Sequence, residues 1–404
     1  MTIFAFVALG IWGLLNAYVG WRLIGPAAPP GWPKAAAWGA LAFVAVLIPA
    51  AMILGRVFAS SKGATALATC AFAAVSVLAM ILALVVLRDL ALLALRGGAA
   101  AGRLLQGYSW AAGAAGACGR LRGAFLSRTA TLTILGLAAV LAAAGYVQSR
   151  LGPRIERVSV PVPGLPASLE GFSIAQIADT HVGGGSSRGE LIAEVVAMVN
   201  ALEPDAIAMT GDLADGSVED LGRVVAPLGA LAARHGKFFV TGNHEYYSGV
   251  EEWVAEVRRL GFRVLCNENV AIDRDGGLVA IAGVPDRSAG WLQPGPVSDP
   301  RKALDGAPEG AVKILLAHQP LSAPAAAEAG YDLVLCGHTH GGQFYPWKLV
   351  VGLVQPFVAG MHRLGGTWIY VSRGAGHWGP PNRLGVPAEV TLFTLTSSRE
   401  QPHE

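Results

Sequence analysis

Residues 333–343 read LVLCGHTHGGQ. Four apolar residues run into a glycine, two histidines one residue apart, and a pair of glycines. A short apolar run closed by a polar, glycine-rich turn is the pattern of a buried strand. In open α/β sheets the ligand-binding residues lie just beyond such strand ends. The arrangement recurs upstream. Residues 172–178 lead into Asp179-Thr180-His181, and 206–209 into Gly211-Asp212 with Asp215 further on. Residues 237–240 lead into Gly242-Asn243-His244-Glu245, and 313–317 into His318. Further strands are expected at 279–284, 369–372 and 390–395. Helical patterns at 190–202, 218–234 and 250–260 lie between the early strands. Strands alternating with helices predict an α/β domain.

A lone histidine after a strand is usually a turn residue, and Gly-Asp alone is usually a turn. Five strand ends each delivering Asp, Asn or His are different in kind. Mixed carboxylate, imidazole and amide donors suit borderline divalent metals such as Mn, Fe or Zn. The glycines let the backbone approach closely and adopt positive φ. A shared carboxylate can hold two ions about 3.5–4 Å apart, a spacing used for phosphoester hydrolysis.

DTH, GDLAD, GNHE, AH and GHTHGGQ, in this order, resemble the calcineurin-like metallophosphoesterase superfamily over about residues 158–395. The apolar runs ahead of them, GHTHGGQ and the late stretch YVSRGAGHWGPPNRLGVPAE resemble its membrane-anchored branch, the transmembrane proteins with a metallophosphoesterase domain. The resemblance implies a four-layer α/β/β/α sandwich and two divalent cations. It implies that Asp179, His181 and His340 hold the first metal, that Asn243, His318 and His338 hold the second, and that Asp212 bridges them. It implies a catalytic His244 beside the leaving group, with Glu245 behind it to orient the ring. The implied reaction is hydrolysis of a phosphomonoester or phosphodiester by a hydroxide held between the cations. Arg373 and His377, in the late motif, are candidates for contact with substrate phosphate. Asp215 reads as a turn residue or a support behind the ligands.

Composition describes the rest of the chain. It has 404 residues, 53% of them hydrophobic and 14% charged. Soluble domains carry roughly 25% charge, so an ordinary cytosolic enzyme is not expected. Apolar content excludes disorder, and four cysteines exclude a disulfide scaffold. Residues 1–150 hold 11 Lys+Arg and the single acid Asp89, while residues 151–404 hold 19 bases and 27 acids. The basic excess is arginine in short loops between apolar runs, the signature of a membrane domain and not of a nucleic-acid scaffold. Four spans are expected, at 2–21, 36–55, 64–87 and 129–147. Asn16, Arg88 and Asp89 are too few to suggest a transport path. Residues 104–119 read as an interfacial or re-entrant loop; as a fifth span they would place the C-terminal domain in the cytoplasm.

With four spans, the loops carrying Arg22, Lys34, Arg96, Arg103, Arg120, Arg122 and Arg128 share one side. Arg56, Lys62, Arg150, Arg154 and Arg157 lie opposite. Seven bases against five put the first group inside and the C-terminal domain in the periplasm or extracellular space. Residues 1–150 are thus expected to be a transmembrane domain, 151–168 a tether and edge strand, 169–396 the metallophosphoesterase domain and 397–404 a tail. Residues 344–361, FYPWKLVVGLVQPFVAGM, and the loop around Trp291 read either as core segment and flap or as a membrane-facing lid. Cys266 and Cys336 read as free and buried. The preferred substrate class is a phosphoester of a lipid or lipid-linked molecule. A membrane-anchored hydrolase of soluble nucleotides or diesters and a non-catalytic metal-binding sensor or scaffold stand as alternatives.

Overall fold

Apolar runs punctuated by single arginines become helices. The computed structural model describes residues 2–57, 62–105, 108–183, 190–292 and 295–397. It divides into two units, Met1–Ala144 and Gly145–Glu404. The first contains α1 (Thr2–Ala27), α2 (Trp32–Val57), α3 (Lys62–Leu104) and α4 (Ser109–Phe125), and most of α5 (Arg128–Arg150). Four stretches among the described residues are long and apolar enough to cross a membrane: Phe6–Ala27, Trp32–Leu54, Ala66–Leu104 and Arg128–Arg150.

Two expectations for this region change. α3 does not stop before Arg88 but continues to Leu104. Asp89 accepts hydrogen bonds from Tyr18 Oη at 2.7 Å and Arg22 Nε at 2.6 Å, and buried Arg88 donates to the Arg22 carbonyl at 3.1 Å. With its charges paired, the segment has no reason to leave the helix. The segment expected as an interfacial loop is helix α4, packed on α3. Its alanine-rich sequence has high helix propensity.

The second unit runs in chain order through β1 (Arg154–Val162), β2 (Ser173–Ile177), β3 (Val182–Gly183), α6 (Leu191–Asn200), β4 (Ala206–Met209) and β5 (Ala214–Asp215). There follow α7 (Val218–Val225), β6 (Lys237–Phe239), α8 (Asn243–Ser248), α9 (Val250–Arg259), β7 (Arg263–Val264), β8 (Glu268–Arg274) and β9 (Gly277–Gly283). Next come α10 (Ala289–Leu292), β10 (Val312–Leu316), α11 (Ala323–Ala329), β11 (Leu333–Cys336) and α12 (Trp347–Val351). β12 (Gly360–Leu364), β13 (Thr367–Val371) and β14 (Glu389–Ser397) complete it.

Two mixed six-stranded sheets result. One has the order β1-β14-β2-β4-β6-β7, the other β12-β13-β11-β10-β9-β8. Ile174, Phe238 and Phe393 of the first meet Ile281, Ile314 and Leu335 of the second in a dry layer. Outside the first sheet, Ile192, Val195, Trp253 and Val257 bury the apolar faces of α6 and α9. Outside the second, Ala323 and Ala326 of α11 cover Leu315 and Val334. This is the four-layer α/β/β/α sandwich. β2, β4, β6, β9, β10, β11 and β13 run parallel to their sheet neighbours of this set. Their carboxyl ends therefore open on one edge of the domain.

The helix expected over 218–234 ends at Val225 and passes into a single 3-10 turn, Ala226–Ala230. Pro227 has no N–H to continue the α-helical ladder. Cys336 is buried as expected, but Cys266 is exposed, since it lies in the turn between β7 and β8.

Candidate metal centre

Five loops leave the strand ends together. Backbone bonds lace the first two: Asp179 N–H donates to the Gly211 carbonyl and His181 N–H to that of Asp212, both at 3.1 Å. β3 and β5 extend this pairing as a short parallel ladder that aligns Gly183 with Asp215. Asp179, His181, Asp212, His338 and His340 all have positive φ, between 44° and 71°. That conformation costs a non-glycine residue about 1–3 kcal/mol and clusters where function demands it. Glycines make the close approach possible. A Cβ on Gly242 would stand 2.1 Å from Asp212 Oδ1, and one on Gly337 would stand 2.4 Å from Asp179 Oδ2.

The loops bring six of the seven expected ligands into one cluster, and the seventh, Asn243, immediately precedes His244, whose backbone N–H bonds Asp212. Asp179, His181 and His340 offer atoms within 4.8 Å of one another, and so do Asp212, His318 and His338. His181 Nε2 lies 2.9 Å from His340 Nε2, and His338 Nδ1 lies 3.2 Å from His318 Nε2. Asp212 Oδ2 lies 3.1 Å from His318 Nε2 and 3.6 Å from His181 Nε2, so one carboxylate touches both groups. Supporting bonds fix several rings. His318 Nδ1 faces the Thr210 carbonyl at 2.8 Å, leaving Nε2 as its free lone pair. His181 Nδ1 faces Asp215 Oδ1 at 3.0 Å, with the same consequence.

The donors fit divalent cations. Asn243 is buried, and its Oδ1 has no hydrogen-bond partner. A buried amide oxygen without a partner costs about 1–3 kcal/mol unless something else satisfies it. Imidazole nitrogens hydrogen-bonded to one another across about 3 Å stand where a cation held by both rings would replace the shared proton.

Charge is arranged accordingly. Burial would raise the Asp212 carboxyl, but His318 and His244 hold it well below the usual carboxylate range. Burial would lower His318, and Asp212 instead keeps it well above the ordinary imidazole value. His338 is pushed down to about 3 by burial and by His318; His340 is lowered by burial and by His181. His338 and His340 are thereby in the neutral form that ligates metal, while His318, and His181 raised to about 9 by Asp215 against the effect of burial, hold a proton that a bound cation would displace.

His244 lies against the cluster. Its backbone N–H donates to Asp212 Oδ1 at 2.9 Å, and its Nε2 is 4.0 Å from Asp212 Oδ2. The partner behind the ring is not Glu245, as the sequence suggested, but Asp215, whose Oδ1 lies 2.5 Å from His244 Nδ1. Glu245 does something else. Its carboxylate accepts the backbone N–H groups of Asp212, Leu213 and Gly242 at 3.0, 2.7 and 2.6 Å. At the third residue of α8 its side chain turns back to cap the helix start and ties two loops together.

Arg373 pairs with buried Glu389 and lies 3.6 Å from Glu156; His377 is buried. Sequence reasoning missed Arg383, which is wholly buried, donates through Nη1 to the Arg373 carbonyl at 2.6 Å and sets Nη2 3.1 Å from His340 Nδ1. An arginine in a Pro-Asn-Arg turn carries no local signal of burial. Asp215 had one, the second acid of GDLAD.

A family profile described as calcineurin-like phosphoesterase matches residues 172–342. An uncharacterized metallophosphoesterase of Campylobacter jejuni is 33% identical over 273 residues, covering 66% of this chain and 70% of that protein. The chain belongs to the calcineurin-like phosphoesterases. A family member from Bos taurus, named transmembrane protein with metallophosphoesterase domain, is 41% identical over 270 residues, covering 64% of this chain. Its namesake from Danio rerio is 37% identical over 273 residues, covering 66% of this chain. The match spans 61% and 62% of the length of these two relatives.

Proposed function

We propose that this chain is a multi-pass membrane phosphoesterase that hydrolyses a phosphomonoester or phosphodiester of a lipid or lipid-linked molecule. The observation that carries the proposal is the cluster of Asp179, His181, Asp212, His318, His338 and His340 beyond the strand ends, with His244 beside it and a buried, unpartnered Oδ1 on the adjoining Asn243. Asp179, His181 and His340 would hold one divalent cation and Asn243, His318 and His338 a second, with Asp212 common to both. Such cations neutralise phosphoryl charge and lower the pKa of an attacking water. The protein's own part is positional. Five rigid strand ends hold the phosphoryl group in one orientation. As the P–O bond to the leaving group breaks, His244 Nε2 gives its proton to the departing oxygen. Asp215 retains the Nδ1 proton and offsets the charge of the ring.

The lipid assignment is supported by the segment after the last ligand loop. Tyr345, Trp347, Leu349, Val350, Leu353 and Val354 are exposed, and Leu353 is 85% so. The segment adjoins the ligands, since a Cβ on Gly342 would meet Lys348 Cα at 2.3 Å. Phe357, which the sequence placed with this lid, instead packs on the second sheet and lies 4.8 Å from the His362 ring. In this reading residues 1–150 are the membrane domain, 151–168 the tether and edge strand, and 169–396 the catalytic domain.

The test is turnover of a chromogenic phosphodiester and the matching monoester by the full chain in detergent, with Mn, Zn or Mg. Hydrolysis that chelator stops and Asp212→Ala abolishes is expected. Turnover that survives both rules out the two-cation site. For the lipid assignment, Trp347→Asp with Leu353→Asp should depress hydrolysis of vesicle-borne esters at least tenfold more than that of soluble esters. Equal loss on both would reject it.

A further inference from the structure

His244 has two aromatic neighbours. Tyr247, three residues further along α8, sets its ring 5.3 Å from the imidazole at 75°, and Trp378 sets its indole 6.1 Å away at 77°. Most of the ligand cluster is buried, yet Tyr247 is 54% and Trp378 46% exposed. Open aromatic surface beside a buried polar site favours an organic group over water.

Trp378 is held there deliberately. Its backbone N–H donates to Gln343 Oε1, and Gln343 Nε2 donates to the Trp378 and Pro380 carbonyls, each at 2.9 Å. Gln343 is itself buried, three residues after His340, with φ 54°. A residue in that conformation stores strain, and here both side-chain N–H donors and the amide oxygen engage the loop that carries one half-exposed indole.

We propose that Tyr247 and Trp378 form the leaving-group subsite, which takes an apolar alcohol with a flat, unsaturated portion, and that Gln343 is the positioning residue for Trp378. The inference rests on the phosphoesterase reading above and narrows its substrate. As the P–O bond breaks, the alcohol oxygen takes the His244 proton while the organic part rests against the two rings. Aryl and isoprenoid alcohols share this chemistry.

The experiment is calorimetric binding of methyl-, phenyl- and geranylphosphonate to the manganese-loaded full chain in detergent. Wild type should bind phenyl- or geranylphosphonate at least tenfold tighter than methylphosphonate. Tyr247→Ala and Trp378→Ala should each lower that ratio about tenfold, the scale of one aromatic contact. Gln343→Ala should lower it as Trp378→Ala does, and the double variant should lower it no further. A merely structural role for Gln343 would weaken all three ligands alike and leave the ratio unmoved. Preference for phenyl alone assigns an aryl alcohol; preference for geranyl, with or without phenyl, assigns an isoprenoid. Equal binding of all three by wild type, or a ratio unmoved by both aromatic substitutions, overturns the subsite and leaves the phosphoesterase reading standing. No binding of any phosphonate overturns both.

Discussion

Asp215 and Glu245 show how two acids near one histidine divide their work. Asp215 touches the rings of His244 and His181, whereas Glu245 touches only backbone N–H groups. Their loss should therefore differ in kind. Asp215→Asn preserves shape but disturbs the proton on each ring. It should lower kcat about 10²–10⁴-fold and weaken the first cation about 10–100-fold, with little change in Tm. Steady-state kinetics at saturating metal separate the two effects, and a wild-type kcat there would deny Asp215 its orienting role. Glu245→Ala leaves three buried donors without an acceptor, at about 1–3 kcal/mol each. That variant should lose folding stability, read by thermal unfolding, before its chemistry can be assessed.

At the scale of elements, the strands with ligands at their ends were the most legible part of the sequence. β4 and β11 match the expected limits, because a buried parallel strand is a short apolar run with a glycine or polar stop. β8 and β12 were not foreseen. Both are antiparallel edge strands, with one buried residue between them and only weak apolar alternation. The six clustered donors were legible because their loops follow legible strands. Arg383 and Trp378 were not, because the turn that carries them is placed by distant partners, His340 and Gln343. Loop packing makes its own prediction. Gly242 lies so near Asp212 that Gly242→Ala should displace the carboxylate shared by both metal groups. Metal content of the purified variant should fall below that of wild type; an unchanged metal content would show that the loops can yield.

At the scale of the whole molecule, the expectation from basic residues that the C-terminal domain faces outward has a direct test. Cys266 is exposed on the second unit, while Cys336 is buried. In a variant carrying Cys70→Ser, Cys118→Ser and Cys336→Ala, Cys266 would be the one remaining thiol. An impermeant maleimide should label it on intact cells. Labelling only after permeabilisation would place the domain in the cytoplasm. The sheet order β1-β14-β2 has a further consequence, for the birth of the protein. The strand made latest sits between the two made first, and it brings Phe393 and Leu395 to the layer between the sheets. The ribosome adds roughly 240 residues between the end of α5 and that strand, on the order of ten to fifty seconds of synthesis. For most of that interval β1 is without its neighbour and β2 is without one of its two, so both are open to pairing with other chains until β14 arrives.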